Sequence, residues 1–244
     1  MDGLLMKSLT THALTVSLSV GAIALACTVI GPARAAEISL PPDPGARDAL
    51  TLASFACSKC HGASTNGISI SPLFPILAGQ NPIYIDTELK LLRQHGRSDP
   101  HARAFMWGIT SKLTDEQIQG LSLYYSGLPG VSGRPSINTA LAARGKEIYE
   151  NGVPEPHRVI KCAECHGETS AGTNNVPRLQ GQHPDYLKLQ LHYYRDKLRE
   201  NKLMQRNVAN ITDDDIAAVV EYISTLSGTE APSDSTSTSG ASSP

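Results

Sequence analysis

The feature that most constrains this chain is that much of it is written twice. Residues 75–84, Pro-Ile-Leu-Ala-Gly-Gln-Asn-Pro-Ile-Tyr, match residues 177–186, Pro-Arg-Leu-Gln-Gly-Gln-His-Pro-Asp-Tyr, at an offset of 102. The same offset pairs Leu89 with Leu191, Arg93 with Arg195 and Arg97 with Arg199. Further on, Leu113-Thr114-Asp115 matches Ile211-Thr212-Asp213 at an offset of 98. Self-similarity on this scale marks one structural unit built twice.

Ahead of each duplicated stretch lies the same chemical motif. The first copy is Cys57-Ser58-Lys59-Cys60-His61-Gly62 and the second is Cys162-Ala163-Glu164-Cys165-His166-Gly167. Cys-x-x-Cys-His is the attachment signature of a c-type haem. Two thiols at this spacing can add across two porphyrin vinyl groups, which leaves the adjacent His to bind iron from one face. Two other readings compete. A four-thiolate zinc site uses pairs separated by about 15–20 residues, whereas Cys60 and Cys162 lie 102 apart. A thioredoxin-like dithiol needs a βαβ surround, and none is visible. The expectation is therefore two haems, held by Cys57 and Cys60 and by Cys162 and Cys165, with His61 and His166 on the irons.

Composition fits two small cofactor-filled units. Aromatic residues make up only 5% of 244 residues, with three Phe and one Trp. Small domains bury a smaller share of their surface than large ones, so two bound porphyrins would supply apolar filling that the side chains lack. A net charge of −2 carries no basic footprint for nucleic acid. Residues 1–35 read as a secretory signal, with Lys7 near the start, an apolar run, and Ala33-Arg34-Ala35 as an A-x-A cleavage site. The competing readings are an uncleaved anchor, for which the run is too rich in Ser, Thr and Gly, and a lipoprotein cut before Cys27. Residues 229–244, mostly Ser, Thr, Pro and Gly, cannot bury a core and read as a disordered tail.

Between these ends the pattern is helical. Pro82 and Pro184 suit the first turn of a helix, and apolar residues follow at helical spacing. Thr114 and Thr212 each precede an acidic first turn, with Gln117 or Asp215 three residues on, which predicts capping boxes. No segment alternates convincingly as a strand. Two methionines remain after the signal, Met106 and Met204, and each lies eight residues before its capping threonine. That shared register argues for a shared role over simple core packing. A Met opposite the His would close the sixth iron position and raise the potential.

With these motifs in hand, the chain resembles the cytochrome c4 family of diheme electron carriers, over about residues 48–226. The resemblance implies an all-α fold of two tandem class I cytochrome c domains, each wrapped round one haem. It places them at 36–130 and 139–228, joined by a linker at 131–138. It implies that a carbonyl at or near Pro75 and Pro177 accepts the Nδ1–H of His61 and His166, and it lets Arg97 and Arg199 reach a haem propionate or lie solvated on the surface. The expected function is periplasmic electron transfer, from a quinol-oxidising complex or a dehydrogenase to a terminal oxidase or reductase. The partners are redox proteins, with peripheral membrane association open, and neither enzymatic activity nor a small-molecule substrate is expected. A fixed dehydrogenase subunit and, more remotely, a diheme peroxidase or thiosulfate-oxidising enzyme are the competing readings. The first copy departs from the pattern in carrying Asp48 and Leu52 where the second has Gly145 and Tyr149, and Glu88 where the second has Gln190. His95, His101, His157, His183 and His192 read as surface or loop histidines.

Overall fold

A computed structural model describes residues 44–62, 68, 69 and 71–227. The signal sequence, Cys27 and the tail lie outside these residues. The first repeat begins with α1 (Pro44–Leu52), which runs through a π-helical turn, Ala53–Cys57, into α2 (Ser58–His61). It continues with α3 (Pro82–Arg93), a second π-helical turn at Ala102–Met106, α4 (Trp107–Thr110) and α5 (Asp115–Ser126). The second repeat holds α6 (Thr139–Asn151), α7 (Ala163–His166), α8 (Pro184–Arg195), α9 (Lys202–Asn207) and α10 (Asp213–Thr225). Among the described residues the only β pairing is two isolated bridges, Val153 with Val159 and Thr173 with Val176. The all-α expectation therefore holds. No described helix is long and apolar enough to cross a membrane.

Local sequence explains where the principal helices start. Thr114 and Thr212 accept the amides of Gln117 and Asp215, whose side chains bond back to the cap amides, so both boxes form. Pro82 and Pro184 occupy the first turns of α3 and α8, where a missing N–H removes no intrahelical bond.

Each repeat packs its first helix against its last: α1 on α5 and α6 on α10. In the second repeat the crossing depends on Gly145, where a Cβ would sit 1.9 Å from the carbonyl oxygen of Ala218. The first repeat lacks this glycine and uses Ala49 and Ala53, both fully buried, against a core that includes Ile118, Leu121 and Tyr125. Small side chains thus serve in place of a glycine, and the altered α1 sequence still makes the terminal-helix contact.

The linker is clipped to the second repeat. Gly133 lies so close to α10 that a Cβ would meet the Thr225 oxygen at 2.2 Å. Glu221 of α10, buried, accepts from Arg134 Nη2 at 2.5 Å, Ser136 Oγ at 2.7 Å and the Ile137 amide at 2.8 Å.

Candidate cofactor sites

Both Cys-x-x-Cys-His motifs form short helical turns that end at glycine. Cys57 closes the first π-helical turn, Cys60 and His61 lie on α2, and Gly62 follows at φ +95°. In the second repeat Cys162 caps α7, which carries Cys165 and His166, and Gly167 follows at φ +79°. A left-handed residue at a helix end favours glycine because it lacks a Cβ. None of the four sulfurs is paired in a disulfide among the described residues. Burial raises the Cys57 thiol and pushes that of Cys162 up to about 11.

The two histidines are held alike. His61 Nδ1 lies 2.9 Å from the Pro75 carbonyl and His166 Nδ1 lies 3.1 Å from that of Pro177, so each Nδ1–H donates to proline. This fixes the tautomer and leaves the Nε2 lone pair for a metal. Burial lowers the pKa of both imidazoles against the opposing pull of the carbonyl bond, which keeps them neutral as a ligand must be. Two thiols one turn apart and an oriented neutral imidazole next to them form a donor set that fits a covalently attached haem.

The methionines differ in their settings. Met204 sits in α9 with its amide capped by Asn201, and it packs on the same core cluster as Cys162 and Leu179. Met106 ends the second π-helical turn, half-buried, and its carbonyl accepts from Thr110. Its neighbour Phe105 makes an edge contact with Phe74 at 5.3 Å, and Phe74 lies 6.3 Å from the ring of His61. Each methionine segment thus lies near its own motif. The second repeat adds a strut that the first lacks: Tyr149 Oη donates to the Gly167 carbonyl at 2.6 Å, directly after His166.

The solvated-surface alternative for the two arginines needs correction. Arg97 and Arg199 are not solvated; Arg199 is 2% exposed. They flank Glu88, whose Oε2 accepts from Arg97 Nη1 and Arg199 Nη2 at 2.8 Å each. Gln190 Oε1 accepts from the same two guanidinium groups at 3.2 and 2.6 Å. Asp99 adds a second carboxylate 2.7 Å from Arg97 Nε. Burial opposes the charge on Glu88, yet Arg199 and Arg97 together hold its carboxyl below the ordinary range. The Glu88 and Gln190 difference therefore sits at the centre of the contact between the repeats.

The surface or loop reading holds for His95 and His157, which are exposed and outside the helices, but His183 and His101 bond across to the other repeat. His183 Nε2 donates to the Ser69 carbonyl of the other repeat, and His101 Nδ1 lies 2.6 Å from the Tyr193 hydroxyl. His192 accepts from Arg195, and His95 stacks on Trp107 at 4.0 Å. Two residues missed entirely are Gln80 and Gln182. They recur at the 102-residue offset, and each reaches across to the backbone of the opposite repeat. Their recurrence was the available signal.

Comparison with known proteins follows the same lines. The family model described as Cytochrome c matches residues 142–227. The chain is 35% identical over 191 residues to cytochrome c4 of Thiocapsa roseopersicina, covering 76% of this chain and 93% of that protein. It is 34% identical over 170 residues to cytochrome c-552 of Acidithiobacillus ferridurans, covering 70% and 73%. The solved structure of cytochrome c4 from Acidithiobacillus ferrooxidans superposes with a TM-score of 0.65 at 33% identity, over 70% of this chain and 98% of that one.

Proposed function

Because the chain belongs to the cytochrome c4 family, we propose that it is an exported diheme electron carrier working between redox proteins of the periplasm. The cofactor is c-type haem, which when bound supplies a one-electron iron couple. In this reading Cys57 and Cys60, and Cys162 and Cys165, provide the thioether sulfurs. His61 and His166 would hold the iron through Nε2, their Nδ1–H groups being taken up by the carbonyls of Pro75 and Pro177. Met106 and Met204 would supply the second protein ligand in each repeat, which would leave no iron position for a substrate. The two units take residues 36–130 and 139–228, joined through 131–138, and residues 1–35 direct export. The donor is a membrane quinol-oxidising complex or a dehydrogenase, and the acceptor is a terminal oxidase or reductase.

The observation that supports this best is the identical treatment of two imidazoles. Both are buried, and a proline carbonyl takes up Nδ1 in both. A histidine used only for packing would not require this arrangement twice. The test is a pyridine haemochrome determination together with oxidised and reduced spectra of the exported protein. Two haems per chain, both low-spin with a methionine charge-transfer band that Met106→Leu and Met204→Leu each halve, are expected. One haem, or a high-spin centre, would overturn the carrier reading.

A further inference from the structure

The contact between the repeats contains a crossed hydrogen-bond arrangement that reaches both histidines. Gln182, buried in the second repeat, accepts the Ile76 N–H at 2.8 Å and donates Nε2–H to the Ile76 carbonyl at 3.0 Å. Gln80, equally buried in the first repeat, accepts the Arg178 N–H at 2.7 Å and donates to the Arg178 carbonyl at 2.9 Å. Each glutamine oxygen is steadied by a second amide from its own side, His183 N–H for Gln182 and Asn81 N–H for Gln80.

The residues so gripped are not arbitrary. The N–H of Ile76 and the carbonyl of Pro75 belong to one peptide group, and that carbonyl holds His61 Nδ1. The N–H of Arg178 and the carbonyl of Pro177 likewise share a peptide, and that carbonyl holds His166 Nδ1. A peptide is a conjugated plane. Accepting its N–H leaves more electron density on its oxygen, so hydrogen bonds in such a chain strengthen one another. A more strongly held Nδ1–H makes imidazole a better donor through Nε2, and a better donor favours the oxidised metal.

We propose that Gln182 and Gln80 are crossed positioning residues, each tuning the axial histidine of the other repeat through the peptide it grips. The inference rests on His61 and His166 being the haem ligands. It predicts that damage to one repeat's glutamine is read at the opposite redox centre.

The experiment is a potentiometric titration of the full-length holoprotein. Each centre is first identified by the marker Met106→His or Met204→His, which lowers its own potential. Gln182→Met is expected to raise the potential of the His61 centre, changing its electron affinity about threefold or more (tenfold is 59 mV for one electron). The His166 centre should stay unchanged, and Gln80→Met should give the reverse pattern. Gln182→Glu keeps an acceptor for Ile76 N–H and makes it charged, so it should shift the His61 centre the other way. Amide exchange at Ile76 and Arg178 supplies a readout independent of potential, and each should quicken in the Met variant that frees it. A shift in the repeat that carries the substitution, equal shifts in both, or no shift despite quickened exchange would overturn the proposal, as would unquickened exchange. Failure of the ligand reading is separately visible, as a wild-type haem count below two or a high-spin centre in the wild-type spectrum.

Discussion

Glu221 offers the sharpest test of how the linker is held. Its carboxylate takes bonds from Arg134, Ser136 and the amides of Ile137 and Asn138, and its side chain is 5% exposed. Burial alone would raise this carboxyl, but the Arg134 and Ser136 bonds and the two amides outweigh it and lower the pKa from 4.5 to about 2. At 1.36 kcal/mol per pH unit that difference corresponds to about 3 kcal/mol of stability. Glu221→Gln keeps the shape and one acceptor oxygen, so a loss of about 2–3 kcal/mol at pH 7 is expected. For a chain of this size that is roughly 4–12 °C in midpoint. The folded pKa lies below the unfolded one. The contribution is therefore complete above about pH 4.5 and disappears as pH falls from there toward 2. The assay is denaturant unfolding of wild type and variant across that range, with amide exchange at Ile137 and Asn138 reporting locally. A gap that stays constant down to pH 2.5, or one below about 0.5 kcal/mol at pH 7, would refute the assignment.

Two further outcomes follow from packing and charge. Gly145→Ala should destabilise the second repeat by about 2 kcal/mol or more in thermal unfolding. The new Cβ meets backbone at 1.9 Å, and such overpacking outweighs the gain in helix propensity. Glu88→Gln should cost about 3 kcal/mol in denaturant unfolding at pH 7, because it leaves Arg97 and Arg199 crowded together with only Asp99 to offset them. Since Glu88 is held below the ordinary carboxyl range, its contribution is complete above about pH 4.5, and the difference should shrink as pH falls below that value.

Legibility in the sequence tracked the range of the interaction. Capping boxes at Thr114 and Thr212, prolines at the helix starts and the two cysteine–histidine motifs are set within a few residues, and all could be read directly. The proline carbonyls that receive His61 and His166 came from family resemblance, since the connecting segments span 14 and 11 residues. Contacts between the repeats were not readable. The 102-residue offset makes Arg97 and Arg199 equivalent, but it does not say that equivalent residues meet across a near two-fold relation. Nor does an arginine in a polar segment reveal whether its partner lies in water or in the other repeat. The same limit hid His101, His183, Gln80 and Gln182. It also made the Asp48 and Leu52 departure look more serious than it is, because Ala49 and Ala53, one residue along, supply the close approach.

The glutamine grip has one more consequence. Gln182 engages the main chain at position 76 and Gln80 the main chain at position 178, and main chain is common to nearly every amino acid. The side chains at those two positions are as unlike as Ile and Arg, yet the bonds are the same. A substitution at 76 or 178 thus leaves the glutamine bonds themselves available, while the Arg178 side chain adds its own contact to the other half, Nη1 donating to the Ala78 carbonyl at 3.1 Å. Two copies of one unit can therefore carry different side chains at these positions and keep the same glutamine bonds.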